Sequence, residues 1–164
     1  MNILITGRPG CGKSRLLQEI VKELNLKVGG IVTPEIRKRG ERIGFEIVDI
    51  ATGKRQLMAG IGIKGPKVSK YGVNISAIEF GIKAIERAIK EAELIVIDEI
   101  GKMELCHPDF DAAVRKAFLC GKPVLACVQL KLIDNYKRFG QVFKIEHDKE
   151  IKSQILSILK QKPE

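Results

Sequence analysis

The chain has 164 residues, 45% hydrophobic and 30% charged, with a formal net charge of +9. That length suits one domain with a real core, and the composition excludes a disordered chain. No apolar run is long enough to span a bilayer, and the start Met1–Gly7 lacks the basic region and long apolar stretch of a signal peptide, so a cytoplasmic location follows by default.

The apolar, β-branched run Asn2–Thr6 reads as a buried parallel strand, and Gly7–Ser14 as a glycine-rich turn. A helix follows over Lys13–Leu24, with Leu16, Leu17, Ile20, Val21 and Leu24 on one face. Lys27–Thr33 is a second strand. Glu35–Lys38 and Arg42–Ile50 flank the turn Arg39-Gly40-Glu41, and Lys54–Ala59 follows Ala51-Thr52-Gly53. Together they predict a small antiparallel β insertion at about 35–59. Gly60–Tyr71 reads as loop. Ser76-Ala77-Ile78-Glu79 has the form of a capping box opening a helix, continued by Ile82, Ile85 and Ile89. Leu94–Ile97 is a buried strand ending in Asp98-Glu99. A helix at Asp109–Leu119 is stopped by Gly121, then come a strand at Pro123–Val128 and a short helix at Lys131–Phe139. The last strand is Val142–Glu146, and the last helix, about Asp148–Lys160, carries Ile151, Ile155, Ile158 and Leu159. No internal repeat or linker interrupts residues 1–164. The alternation predicts an α/β fold: a mostly parallel five-stranded core sheet covered by helices on both faces.

Gly7-Arg8-Pro9-Gly10-Cys11-Gly12-Lys13-Ser14 fits the pattern G-x-x-x-x-G-K-[ST], entered by a strand and left by a helix, which is the context of a phosphate-binding P-loop. Glycines let the loop N–H groups wrap a phosphate, and the helix N-terminus adds partial positive charge. Lys13 is expected to bridge the β- and γ-phosphates and Ser14 to ligate Mg²⁺. Leu94–Ile97 sets Asp98 at the carboxyl end of a central strand, where it can hold Mg²⁺. Glu99 is suited to orient or deprotonate a water attacking the γ-phosphorus.

A second carboxylate after the magnesium aspartate usually accompanies an extra strand between the two motif strands. The expected order is therefore Val142–Glu146, Asn2–Thr6, Pro123–Val128, Leu94–Ile97, Lys27–Thr33. Gln129 would then project towards the γ-phosphate, although a solvated strand end is the plainer reading. Arg8, Thr33, Glu35, Arg37, Lys102, Glu104, Lys137 and Arg138 are further candidates, and for each an ordinary surface charge or polar group is the plainer reading.

Cys11, Cys106, Cys120 and Cys127 form no C-x-x-C pair, so they read as reduced thiols, with Cys11 a small filler of the loop. His107 and His147 read as loop residues. The basic excess is uneven: residues 1–75 carry 14 Lys/Arg against 6 Asp/Glu, and residues 76–164 carry 15 against 14. A field attracting a polyanionic substrate, nucleic-acid binding, and a lysine-rich surface serving solubility or heat tolerance compete to explain it. No aromatic residues interleave with the basic cluster, so nucleic acid has no positive support. The sequence assigns no oligomeric state.

The chain resembles the small P-loop nucleoside-triphosphatases of thermophilic archaea and bacteria, whose human relative is called cancer-related nucleoside triphosphatase. The resemblance rests on Gly7–Ser14, Gly29–Arg37, Arg42–Phe45, Gly121–Ala126 and above all Asp98-Glu99-Ile100-Gly101-Lys102-Met103-Glu104-Leu105. It implies a single P-loop domain over 1–164 and slow, Mg²⁺-dependent hydrolysis of ATP, GTP, CTP and UTP to diphosphate and phosphate. It implies nucleotide contacts from Gly7–Ser14 and from the stretch containing Asp98, Glu99, Ile100 and Gly101. Loose base choice agrees with the lack of an Asn-Lys-x-Asp string. Two alternatives remain: a nucleoside or nucleotide kinase whose basic segment 35–70 forms a lid, and an NTP-dependent switch or RNA-associated module.

Overall fold

The computed structural model describes residues 1–146 and 150–161. His147 and the predicted helix start at Asp148 lie outside the described residues. Strands β1 (Asn2–Gly7), β2 (Val28–Val32), β8 (Leu94–Ile100), β9 (Val124–Gln129) and β10 (Gln141–Lys144) are the parallel core. Their order is β10-β1-β9-β8-β2, which is the order expected from the Asp-Glu pair. All four pairings are parallel.

Helices α1 (Lys13–Glu23) and α4 (Ile151–Leu159) cover one face, where Leu17, Ile20, Ile151 and Ile155 pack on Ile3, Ile5, Leu94, Val96, Leu125 and Cys127. Helices α2 (Ile75–Glu91) and α3 (Phe110–Leu119) cover the other, packing on Leu4, Ile95, Ile97, Val124, Ala126 and Val128. The odd and even residues of each strand thus go to different cores, as a strand buried on both faces requires. None of the helices described is long and apolar enough to cross a membrane.

The antiparallel insertion is larger than predicted and is not a separate patch. It comprises β3 (Glu35–Lys38), β4 (Glu41–Asp49), β5 (Arg55–Gly60), β6 (Lys67–Val68) and β7 (Tyr71–Val73). Because β4 pairs with β2, these strands continue the core into one ten-stranded sheet. The segment read as loop over 60–71 contains β6, and Gly72 of β7 lets it lie close: a Cβ on Gly72 would stand 1.7 Å from the Ile63 carbonyl oxygen. The predicted capping box also fails. Helix α2 starts one residue earlier, after Asn74, and the Ser76 hydroxyl donates to Asn74 Oδ1 at 2.8 Å instead of capping a backbone N–H. Lys131–Phe139 forms two 3-10 segments, Leu130–Asn135 and Lys137–Phe139, in place of one helix.

Gly30 joins β2 to β8 closely enough to exclude a side chain. It pairs with Val96. Its φ is +115°, and a Cβ there would sit 2.0 Å from the Val96 carbonyl oxygen. Strain and clash act together at this position. Gly30→Ala is expected to destabilise the chain by at least about 2 kcal/mol in urea unfolding; an unchanged midpoint would contradict this packing.

Candidate active site

β1 delivers the chain into Gly7–Ser14. The Cys11 amide donates to the Arg8 carbonyl at 3.1 Å, closing a tight turn. Gly10 and Gly12 hold φ of +77° and +96° in open space, so the dihedral and not crowding calls for glycine. At Gly7 dihedral and crowding act together, since φ is +157° and a Cβ would lie 2.7 Å from Cys11 Sγ. Arg8, Pro9 and Gly10 form the exposed tip. Lys13 is buried, and its Nζ donates to the Gly7 carbonyl at 3.1 Å, which holds the ammonium inside the loop. Helix α1 begins at Lys13 without a side-chain cap, so its first N–H groups face the loop mouth.

The second motif meets the first across β9. Ser14 Oγ donates to Asp98 Oδ1 at 3.0 Å. Asp98 is paired in register with Cys127 on β9, whose thiol favours the ionised carboxylate. Burial pushes the Asp98 carboxyl up to about 6, with the Ser14 hydrogen bond opposing and the Glu99 charge adding. Cys127 is itself raised well above the usual thiol range, chiefly by burial, so it is a thiol and not a nucleophile.

Glu99 sits on an irregularity the sequence does not announce. Asp98 pairs with Cys127 and Ile100 with Val128, so two steps on β8 match one on β9, and Glu99 is the extra residue of a bulge. Thr33, just past β2, fixes that bulge. Its amide and hydroxyl donate to the Asp98 carbonyl at 2.6 and 3.0 Å, and its Oγ1 accepts from the Glu99 amide at 3.2 Å. Gln129, at the end of β9 and in register with Gly7, donates from Nε2 to Glu99 Oε1 at 3.2 Å. Its Oε1 accepts from the Lys102 amide at 3.1 Å. Burial raises the Glu99 carboxyl above its ordinary value, while Lys13 and Gln129 oppose that shift.

Several sequence-based expectations change here. Gln129 is not a solvated strand end, because β9 lies between the two motif strands and aims its last side chain at Glu99. Thr33 is a bridge and not a surface group. Glu104 is not a surface charge: it is only 3% exposed, and its apolar neighbours Met103 and Leu105 were the available signal. His107 is buried in a structural role, its Nδ1 accepting from the Asp109 amide at 3.0 Å before α3. Other candidates stay on the surface. Glu35 pairs with Arg37 at 3.0 Å and Lys137 with Asp134 at 3.3 Å, and Arg138 lies over the Phe139 ring.

Ser14 and Asp98 offer hard oxygen donors at the loop mouth. Among the described residues no group of three His, Cys, Asp or Glu could hold a metal. That donor set fits Mg²⁺, which takes one or two protein oxygens and completes its shell with water and substrate phosphates. The fold and this constellation define a P-loop NTPase.

The comparisons agree. The chain belongs to the NTPase family, which residues 2–158 match. It is similar to the nucleoside-triphosphatase THEP1 of Methanothermobacter thermautotrophicus, at 43% identity over 84% of this chain and 82% of that protein. It is also similar to that of Methanocaldococcus jannaschii, at 38% identity over 96% of both. Among solved structures, THEP1 from Aquifex aeolicus superposes with a TM-score of 0.83 at 33% identity, covering 98% of this chain and 100% of that one. A human cancer-related nucleoside triphosphatase matches with a TM-score of 0.73 at 27% identity, covering 96% and 94%.

The buried Asp98 makes a pH prediction for metal- and nucleotide-free protein. Its folded value of about 6 lies above the ordinary 3.8, so folding favours the protonated form. The contribution is fully present below about pH 4 and is lost as pH rises through about 6, an effect on the order of 3 kcal/mol. Wild-type unfolding free energy in chelator should fall over that window, and Asp98→Asn should fall clearly less. Identical slopes would contradict a carboxylate whose burial outweighs its hydrogen bonds.

Proposed function

We propose that the chain catalyses Mg²⁺-dependent hydrolysis of nucleoside 5′-triphosphates to diphosphate and phosphate, in the cytoplasm, with broad base tolerance and low turnover. That it is a nucleoside-triphosphatase rests on its family. The chemistry within that class rests on one observation above others: a half-buried carboxylate, Glu99, its amide held by Thr33 and its side chain by Gln129, beside a phosphate loop.

In this reading Gly7, Arg8, Pro9, Gly10, Cys11, Gly12, Lys13 and Ser14 embrace the phosphates, and Ile100 and Gly101 flank the nucleotide. Ser14 and Asp98 hold Mg²⁺, which when bound neutralises charge on the phosphate oxygens. Lys13 meets the charge that develops on the γ-phosphoryl oxygens. Glu99 accepts a proton from water as the water oxygen bonds to the γ-phosphorus and the bridging oxygen leaves with the diphosphate. Its raised value moves it towards the working pH, where a general base is most effective. Gln129 supplies a neutral amide beside Glu99 and no second cation, which suits slow turnover. The substrates are ATP, GTP, CTP and UTP alike, since no base-selecting Asn-Lys-x-Asp string is present.

Phosphate release should proceed from all four triphosphates without any acceptor and stop on chelation. Glu99→Gln should lower kcat at least roughly 100-fold while nucleotide still binds, and Lys13→Ala should impair binding and turnover together. Release that requires an added nucleoside would point to a kinase, and wild-type turnover in Glu99→Gln would remove Glu99 from the role given.

A further inference from the structure

Glu104 is a buried group that this chemistry does not use. It opens the 3-10 turn Glu104–Cys106 that follows β8. It is 3% exposed, and its Oε2 has no hydrogen-bond partner. A buried carboxyl oxygen without a partner is unfavourable enough that folded chains rarely keep one without a role for it. Between Met103 and Leu105, an apolar residue would fit the surroundings at lower cost.

The position of that oxygen indicates what it does. A Cβ built on Gly101 would stand 2.7 Å from Gln129 Nε2, 2.9 Å from Gln129 Cδ and 3.2 Å from Glu104 Oε2. The amide head of Gln129 and the carboxyl head of Glu104 therefore crowd one point over the Gly101 backbone, and glycine is what lets them. Gln129 Nε2 carries two N–H donors. One goes to Glu99 Oε1, and Glu104 Oε2, itself without a hydrogen-bond partner, lies beside the same Gly101 backbone as the amide head. A flipped Gln129 would turn its oxygen towards the Glu99 carboxylate and lose its bond from the Lys102 amide. A carboxyl oxygen beside the amide head favours Nε2 over the amide oxygen on that side, since it attracts an N–H group and repels a carbonyl oxygen.

We propose that Glu104 is a positioning residue, bracing the Gln129 amide across Gly101 so that Gln129 holds Glu99 in the direction that meets the attacking water. The inference rests on Glu99 being the group that takes the proton. Burial, with Glu99 and Asp98 nearby, drives Glu104 well above the usual carboxylate range. A neutral acid still offers a carbonyl oxygen as acceptor, so the brace is compatible with the two charges in front of it.

The test compares Glu104→Gln, Glu104→Leu and Glu99→Gln in one assay of kcat and KM, with binding of a non-hydrolysable ATP analogue and thermal unfolding measured beside it. Glu104→Leu should lose at least about tenfold in kcat with KM and analogue affinity within about twofold, and Glu104→Gln, which keeps an acceptor oxygen, should stay within about threefold of wild type. Should Glu104→Leu fail to fold, Glu104→Met, an unbranched apolar replacement of similar length, should show the same kcat-selective loss. A folded Glu104→Leu with wild-type kcat overturns the bracing role, as does a loss shared equally between kcat and analogue affinity. If Glu99→Gln is inactive while Glu104→Leu is active, the brace alone fails. If Glu99→Gln is active, the chemistry it rests on fails with it.

Discussion

The hydrogen bond from Ser14 to Asp98 spans 84 residues of sequence, and the rest of the site depends on it being possible. It requires the carboxyl ends of β1 and β8 to reach the same depth with one strand between them. The parallel register of β1 with β9 and of β9 with β8 sets that depth. Core packing on both faces holds the register, because a slip of one residue would move Ile3 and Ile5 out of one core and Leu4 out of the other. Glycine at position 30 then brings β2 close enough for Thr33 to reach the end of β8.

With β9 interposed, its terminal residue faces both motifs. Gln129 lies in register with Gly7 and bonds to Glu99, so the phosphate loop and the proposed base share a reference point. The bulge at Glu99 serves the same end. In a regular strand Glu99 would follow the alternation of Leu94–Asp98, and the extra residue re-aims it. Acids gather here: the buried Asp98 and Glu104 and the half-buried Glu99 are all raised by loss of solvent. Such a cluster opposes folding and is retained where it serves chemistry.

Much of this was legible in the sequence. The loop follows from glycine spacing and the flanking periods, the strand order from the Asp-Glu pair, and the family from the string Asp98–Leu105. What was not legible depends on three-dimensional proximity. Glu104 and Gln129 are polar residues next to apolar runs, a pattern shared by many surface positions, and only the meeting of β9 with the turn after β8 buries Glu104 and brings Gln129 onto Glu99. The bulge leaves no mark on composition. The insertion was underestimated because Gly62, Gly65 and Pro66 read as loop signals, whereas Gly72 lets the chain at Ile63 lie close against β7. Ser76 lost the cap position to Asn74, two residues earlier, whose Oδ1 accepts from the Ser76 hydroxyl and caps no backbone N–H.

The central claim is that water, and no other acceptor, attacks the γ-phosphorus. Turnover of ATP in ¹⁸O-labelled water, followed by mass spectrometry of both products, tests it most directly. The account predicts a solvent oxygen in the released phosphate and none in the diphosphate. Label in the diphosphate, or no phosphate formed until an acceptor is added, would contradict it.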